Sequence, residues 1–355
     1  MKKRILKILF IVMATIILVV LSYLLYVVLS YHRVGDNLTL EIEGDAENIA
    51  SVNTEISLLT YNIGFGAYSA DYSFFMDGGE HSRALSKEAV LDNINGVMDV
   101  IANENCDLIL LQEVDTDGTR SYHVNQKNLI SEKYPRFDQV FAENYDSPYF
   151  LYPIHEPIGA NKSGILTLSR FNINSSIRRS LPVENSLSKY FDLDRAYSVS
   201  FIKTDNGKKL VIYNVHLSAY TSDGTIADDQ LKMLSEDMQA QYEKGNYIIV
   251  AGDFNKDLLG DSSKYYMRPE GEYNWAAALN NNLLPQGIKS YSGTNAPSCR
   301  NAEAPFKGDG TDFVLSVDGA LVSENIEVLS CETVDTSFAY SDHNPVKLKF
   351  VLKPE

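Results

Sequence analysis

The chain has 355 residues, with 31 lysines and arginines against 47 aspartates and glutamates, a formal net charge of −16 and 45% apolar residues. That balance excludes a protein that grips a nucleic-acid backbone through a bulk basic surface. The three cysteines, Cys106, Cys299 and Cys331, match no zinc-site spacing.

Residues 8–30 carry no charge, and about 20 apolar residues suffice to cross a bilayer. Lys2, Lys3, Arg4 and Lys7 precede this run and only Arg33 closely follows it. The positive-inside bias then places the N-terminus in the cytoplasm and everything after it outside. A cleaved signal peptide is the rival reading. Its apolar region usually spans about 7 to 15 residues, and Ser30-Tyr31-His32-Arg33 makes a poor cleavage site. The expectation is an uncleaved, single-pass signal-anchor over residues 1–35. Subtracting its five basic residues from the 31 leaves 26 against 47 acids, a net charge of −21 beyond it.

Residues 36–54 read as a polar linker with an edge strand at 38–42. Short β-branched or aromatic runs bounded by Asn, Asp, Gly or Ser predict strands at 56–61, 108–111, 164–168, 196–202, 210–215, 247–251, 319–322 and 346–351. Helical spacing of Ala89, Val90, Ile94, Val97, Met98 and Ile101 predicts a helix over 86–103, which Gly96 weakens only modestly. Leu231, Leu234, Met238 and Tyr242 predict a second over 228–244, ended by Gly245. There is no internal repeat and no linker after residue 55, so 55–355 is expected to be one domain. Many strands with few helices argue for two packed sheets covered by helices. Cys106 falls in an apolar-periodic stretch and is expected to be buried. Cys299 and Cys331 could pair in an oxidising compartment or stay free.

Polar residues recur at the strand ends: Asn62, Gln112-Glu113, His216, Asp253-Phe254-Asn255, Asp318, and Asp342-His343 before the last strand. One such ending is ordinary turn chemistry. Six with complementary chemistry suggest a site, because open sheets gather ligand-binding groups at strand ends. Glu113, Asp342 and Asn62 offer hard oxygen ligands suited to Mg²⁺ or Mn²⁺. Asp253 could orient or deprotonate water, and Asn255 could donate to a phosphoryl oxygen. His216 and His343 could donate hydrogen bonds or act as base. Asp318 could hold an imidazole in one tautomer.

These segments resemble the endonuclease/exonuclease/phosphatase superfamily. The resemblance spans roughly residues 55–352, with its signatures in family order. They are Tyr61-Asn62-Ile63, Leu111-Gln112-Glu113, the stretch 164–170, Asn214-Val215-His216-Leu217, Gly252-Asp253-Phe254-Asn255, the stretch 318–323, and Ser341-Asp342-His343-Asn344-Pro345. The resemblance implies a four-layer α/β/β/α sandwich of two mainly antiparallel sheets with a divalent-metal site at one rim. It implies Glu113 as principal metal ligand beside Asn62 and Asp342. Asp253 and Asn255 would place the nucleophile and the scissile phosphate, Asp318 would orient His343, and His216 would contact phosphate. The reaction would be in-line attack of water on a phosphoester, with the proton acceptor left between Asp253 and His343.

Four features depart from the best-known members. Residues 63–85 form a longer insertion bearing Tyr68, Tyr72, Phe74, Phe75 and Met76, read either as a loop packed on its own domain or as a cleft wall or membrane-facing lip. No second glutamate can be placed to pair with His216. Asp115 and Asp117 are read as shaping the loop that ends at Arg120. Arg195 and Arg300 are candidates for substrate contact, with surface ion pairs the competing reading. Anchoring and the aromatic insertion favour a lipid head-group or another surface phosphoester, and the acidic surface disfavours nucleic acid without excluding it. A catalytically silent binding module is the alternative from another class. No protein partner is inferred.

Overall fold

Alternation of side chains across each strand organises the whole molecule. The computed structural model describes residues 2–184, 187–190, 194–219, 225–266 and 275–354. Among them the strands, in chain order, are β1 (Leu38–Thr39), β2 (Glu55–Asn62), β3 (Leu108–Gly118), β4 (Asp138–Asp146), β5 (Asn161–Ser169), β6 (Ile173–Ser180), β7 (Ala196–Lys203) and β8 (Lys209–His216). They continue as β9 (Tyr247–Asp253), β10 (Ile288–Tyr291), β11 (Cys299–Arg300), β12 (Val314–Leu315), β13 (Asp318–Ser323), β14 (Ile326–Thr333) and β15 (Val346–Leu352). The α-helices are α1 (Lys2–Ser30), α2 (Lys87–Glu104), α3 (Gln126–Lys133) and α4 (Thr225–Tyr242).

One sheet runs β1-β6-β7-β8-β9-β13-β10 and the other β14-β15-β2-β3-β5-β4. Each has a single parallel pair, β8–β9 and β2–β3, and is otherwise antiparallel. A parallel pair needs a long crossover, and α2 and α4 lie in those two crossovers. Ile56, Leu58, Leu108 and Leu110 meet Leu210, Ile212, Ile249 and Ala251 between the sheets. Their strand neighbours Leu59, Tyr61, Ile109 and Leu111 face outward onto Val90, Ile94, Val97 and Ile101 of α2. Val211, Tyr213, Ile248 and Val250 likewise receive Leu231, Leu234 and Met238 of α4. Both faces of the central strands are therefore buried, which is why they read as mainly apolar runs. The expected four-layer α/β/β/α sandwich is the fold.

Helix boundaries shift slightly from the expected ones. Ser86 is the N-cap of α2, its Oγ accepting from Ala89 N at 3.0 Å. α4 begins three residues before its expected start. Gly96 has a packing reason: a Cβ there would lie 2.2 Å from the Tyr340 ring. Strands β4, β6, β10 and β14 and helix α3 have no counterpart among the expected elements because polar residues interrupt their apolar periodicity, and β11 and β12 have none because each is only two residues long. The edge strand expected at 38–42 is only two residues long, but residues 40–50 also bond to the sandwich through Leu40, Glu43 and Ala50. Cys106 is buried. Cys299 and Cys331 are both free thiols, Cys299 bridged to His343 and Cys331 paired with Leu348 on the β14 edge.

α1 is apolar and long enough to cross a membrane, as a signal sequence near an N-terminus also is. It leads directly into the sandwich. His32 Nε2 lies 3.3 Å from Asp146, Val34 N donates to Asp194 at 2.7 Å, and Arg33 pairs with Asp194.

Candidate active site

Strand register brings the polar strand ends to one rim. In the first sheet His216 pairs with Asp253 across β8–β9, and Asp253 with Asp318 across β9–β13. In the second, Asn62 pairs with Gln112 across β2–β3. Glu113 follows at a register shift between Leu111 and Val114, with φ +56°. A bulge with a left-handed non-glycine residue is strained and re-aims one side chain. Here it turns Glu113 toward the rim. Gly252 permits the close β8–β9 approach: its φ is +151°, and a Cβ would sit 2.0 Å from Val215 O.

The rim closes on a cleft of about 240 Å³ lined by Glu113, His216, Asp253, Asn255, Asp342 and His343, together with Arg195 and Arg300. Asn62 stands behind Glu113 and Asp253, its Nδ2 donating to both at 3.2 and 3.0 Å, while its Oδ1 accepts from Gly64 N at 3.0 Å. Asp318 is fully buried and accepts from His343 Nδ1 at 2.7 Å. The same Asp318 oxygen accepts from Ser298 Oγ at 2.8 Å. His343 Nε2 then faces Asp253 Oδ2 at 3.8 Å and Cys299 Sγ at 3.6 Å. His216 Nε2 lies 3.6 Å from Asp253 and 3.9 Å from Glu113. No second glutamate pairs with it among the described residues. Asn255, at φ +50°, is held by its N–H on Asp253 Oδ1 and its Nδ2 on Leu217 O, both at 2.8 Å.

Burial sets the protonation of this cluster. It pushes the Glu113 and Asp342 carboxyls up, and Asp253 up to about 7. Burial, then the Arg195 charge, holds His216 well below its usual range. For His343 burial opposes protonation, but Asp318 overcomes it and holds the imidazole well above its usual range.

The candidate cationic side chains are engaged with protein. Arg195 Nη1 donates to Leu217 O at 3.0 Å. Arg300 spends Nη1 and Nη2 on the carbonyls of Asn301, Ala304, Tyr68, Ser69 and Tyr72, stapling the 63–85 insertion to the rim. Asp115 holds Arg120 through two bonds of 3.1 and 2.7 Å, whereas Asp117 faces outward onto His123. Arg120 stacks on Phe65 at 3.9 Å and lines the cleft. Sequence reasoning missed it as a site residue because it lies in a loop with no motif. The insertion does both things expected of it: Phe65 and Tyr72 are buried in the core, and Phe74 and Met76 line the cleft.

Two carboxylate groupings could receive a cation. Asp253, Asp318 and His343 are the tightest set; there Asp318 Oδ2 is taken by His343 and Ser298, while its buried Oδ1 has no protein partner. Glu113 and Asp342 fit an ion better. Both are half-buried acids whose pKa values are pushed up by burial, and among the described residues neither forms a salt bridge with a lysine or arginine, although the Arg120 charge acts on Glu113 and the Arg300 charge on Asp342. Hard carboxylate oxygens of this kind suit Mg²⁺ or Mn²⁺.

The protein is thus a two-sheet sandwich with an acid- and imidazole-lined rim. Residues 59–343 match the model of the endonuclease/exonuclease/phosphatase family, and the chain belongs to that family, whose members are metal-dependent phosphoester hydrolases. No curated protein matches it in sequence. Among solved structures it resembles an endonuclease/exonuclease/phosphatase from Beutenbergia cavernae, at 16% identity and TM-score 0.58, over 84% of this chain and 72% of that one. It also resembles ANGEL2, a 2',3'-cyclic phosphatase, in complex with adenosine-2',3'-vanadate, at 15% identity and TM-score 0.56 over 89% and 99%. D. rerio TDP2 complexed with a single-strand DNA product matches at 13% identity and TM-score 0.54 over 84% and 99%. These likenesses establish the fold.

Proposed function

We propose that this protein is a membrane-anchored, extracytoplasmic hydrolase of a phosphodiester or phosphomonoester, dependent on Mg²⁺ or Mn²⁺. The observation that carries the reading is the convergence of Glu113, Asp342, Asp253, His216 and the Asp318–His343 pair on one cleft. Residues 1–35 are the anchor, 36–54 the connection and 55–355 the catalytic domain. The basic residues before α1 put its N-terminus in the cytoplasm.

Glu113 and Asp342, with Asn62 beside them, would hold the ion, which when bound neutralises charge developing on the phosphoryl and leaving oxygens. The chain's own groups divide the remaining work. His343, kept protonated by Asp318, donates to a phosphoryl oxygen. Asp253 receives the proton of the attacking water, because its carboxyl is poised near neutrality and faces the same space. Neutral His216 and the Asn255 amide orient the phosphoryl group, and Arg195 and Arg300 shape the cleft wall. A complete set of these groups argues against a catalytically silent module.

The test is a panel of substrates offered to the full chain in detergent with Mg²⁺: a chromogenic diester, sphingomyelin, phosphatidylinositol, inositol phosphates and DNA. Metal-dependent turnover lost in both Glu113→Ala and Asp253→Ala is expected. Turnover that survives both substitutions would refute the assignment, and activity confined to DNA would refute a lipid preference.

A further inference from the structure

The cleft rim continues into an apolar loop that the protein leaves uncovered. Between β4 and β5, Leu151, Tyr152 and Ile154 are 49%, 68% and 89% exposed. The loop is built rather than slack. Phe150 and Gly159 exchange two backbone bonds of 3.1 Å across its neck, and Pro153 and Pro157 restrict the segment between those two residues.

One side of this loop joins the cleft. The Tyr152 ring packs on Phe75 at 5.8 Å. Arg83 Nε donates to Pro157 O, and Ser82 N to the Glu156 carboxylate, both at 2.6 Å. Ile158 lines the cleft itself, and so does Met76, which is 69% exposed.

The other side touches α1. Tyr149 N donates to Tyr26 Oη and Leu151 N to Tyr23 Oη, both at 3.0 Å. Tyr23 Oη returns a bond to Tyr149 O at 3.3 Å. At a rise of about 1.5 Å per residue, Tyr26 and Tyr23 lie only about 6 and 10 Å before the helix end at Ser30. Tyrosines at the end of an apolar span belong to the membrane–water interface. The chain just beyond α1 allows no stand-off, because His32, Arg33 and Val34 are bonded to Asp146 and Asp194. A bilayer that holds α1 therefore meets this loop.

We propose that residues 148–158 form a membrane wedge. Leu151, Tyr152 and Ile154 enter the outer-leaflet interface beside α1, and the cleft opens onto that surface to take its phosphoester from a lipid head group. The occupant is a zwitterionic phospholipid surface: a domain with net charge −21 is repelled by an anionic one, whereas apolar insertion needs no lipid charge. The substrate half of this inference rests on the hydrolase reading above; the wedge half does not.

Two measurements on the full chain in phosphatidylcholine nanodiscs separate them. An environment-sensitive fluorophore is attached at Ile154→Cys and, as a reference, at Leu329→Cys on the opposite edge of the same sheet. A blue-shifted emission and iodide quenching roughly fivefold weaker at position 154 are expected; equal quenching at the two positions overturns the wedge. In the second, Leu151→Asp/Ile154→Asp is compared with the unmodified chain on the disc phospholipid and on bis(p-nitrophenyl) phosphate in the same discs with Mg²⁺. Lipid cleavage is expected to fall roughly tenfold with the soluble diester unchanged. Undiminished lipid cleavage by the variant overturns the role of the wedge in presenting lipid to the cleft, and an unmodified chain that cleaves only the soluble diester overturns the lipid assignment. An unmodified chain that cleaves neither defeats the hydrolase reading instead, and the fluorophore still decides the wedge.

Discussion

Asp318→Asn tests the relay behind His343 with little change of shape. Ser298 Oγ donates to the Asp318 oxygen that also receives His343 Nδ1. An asparagine must keep its carbonyl oxygen at that point to satisfy the serine, so the imidazole keeps its tautomer and only the charge is lost. A hydrogen bond to a charged group contributes about 1.5–3 kcal/mol against about 0.5–1.5 for a neutral one. The difference, about 1–1.5 kcal/mol, lowers kcat about 5- to 13-fold at 1.36 kcal/mol per decade. Asp318→Ala removes the whole bond and should cost about 10- to 150-fold on the same scale. The assay is steady-state hydrolysis of a chromogenic diester with Mg²⁺, with thermal melting as a check on folding. If both variants fold and turn over at the unmodified rate, the relay is no part of the reaction.

Three further outcomes follow from the same geometry. Glu113, Asp253 and Asp342 have folded-state pKa values raised by burial, so their stabilising contribution is complete below their unfolded values and lost as pH rises through the folded ones. In EDTA this cluster should make the protein melt higher at about pH 5 than at about pH 8, and Mg²⁺ should raise the melting point more at the higher pH; a Glu113→Gln variant should lose most of that metal-induced rise. Asp115→Ala strands the buried Arg120 charge and should cost about 3–5 kcal/mol in urea unfolding. Gly252→Ala forces a Cβ to 2.0 Å from Val215 O at a φ of +151° and should cost about 3 kcal/mol by the same measurement.

Much of this was legible because the central strands are buried on both faces. Their runs are mainly apolar and each is bounded by a polar residue, so β2, β3, β8, β9 and β13 and the rim residues Asn62, Glu113, His216, Asp253 and Asp318 could be read together. The outer strands could not be read that way. In β14 buried, intermediate and exposed positions interleave over eight residues, and a half-exposed strand with Ser, Glu and Thr carries no signal above turn composition. Arg120 escaped notice for a related reason: its importance comes from Asp115 and Phe65, and a ring stacked beneath a loop arginine leaves no spacing in the sequence.

By itself the sequence determined the strand and helix periodicities, the order of the polar strand ends, the acidic balance and an apolar segment long enough to span a bilayer. These are local properties, set by side-chain volume, branching and charge along a few neighbouring residues. The tertiary structure decided which of these groups meet. It joined Asp318 to His343 across 25 residues, turned Glu113 toward the rim by a strained bulge, spent Arg300 on the insertion's carbonyls and left Cys299 and Cys331 unpaired. It also set the 148–158 loop between the cleft and Tyr23 and Tyr26 of α1. Contacts of that kind depend on register and sheet packing over the whole chain, and no window of residues contains them.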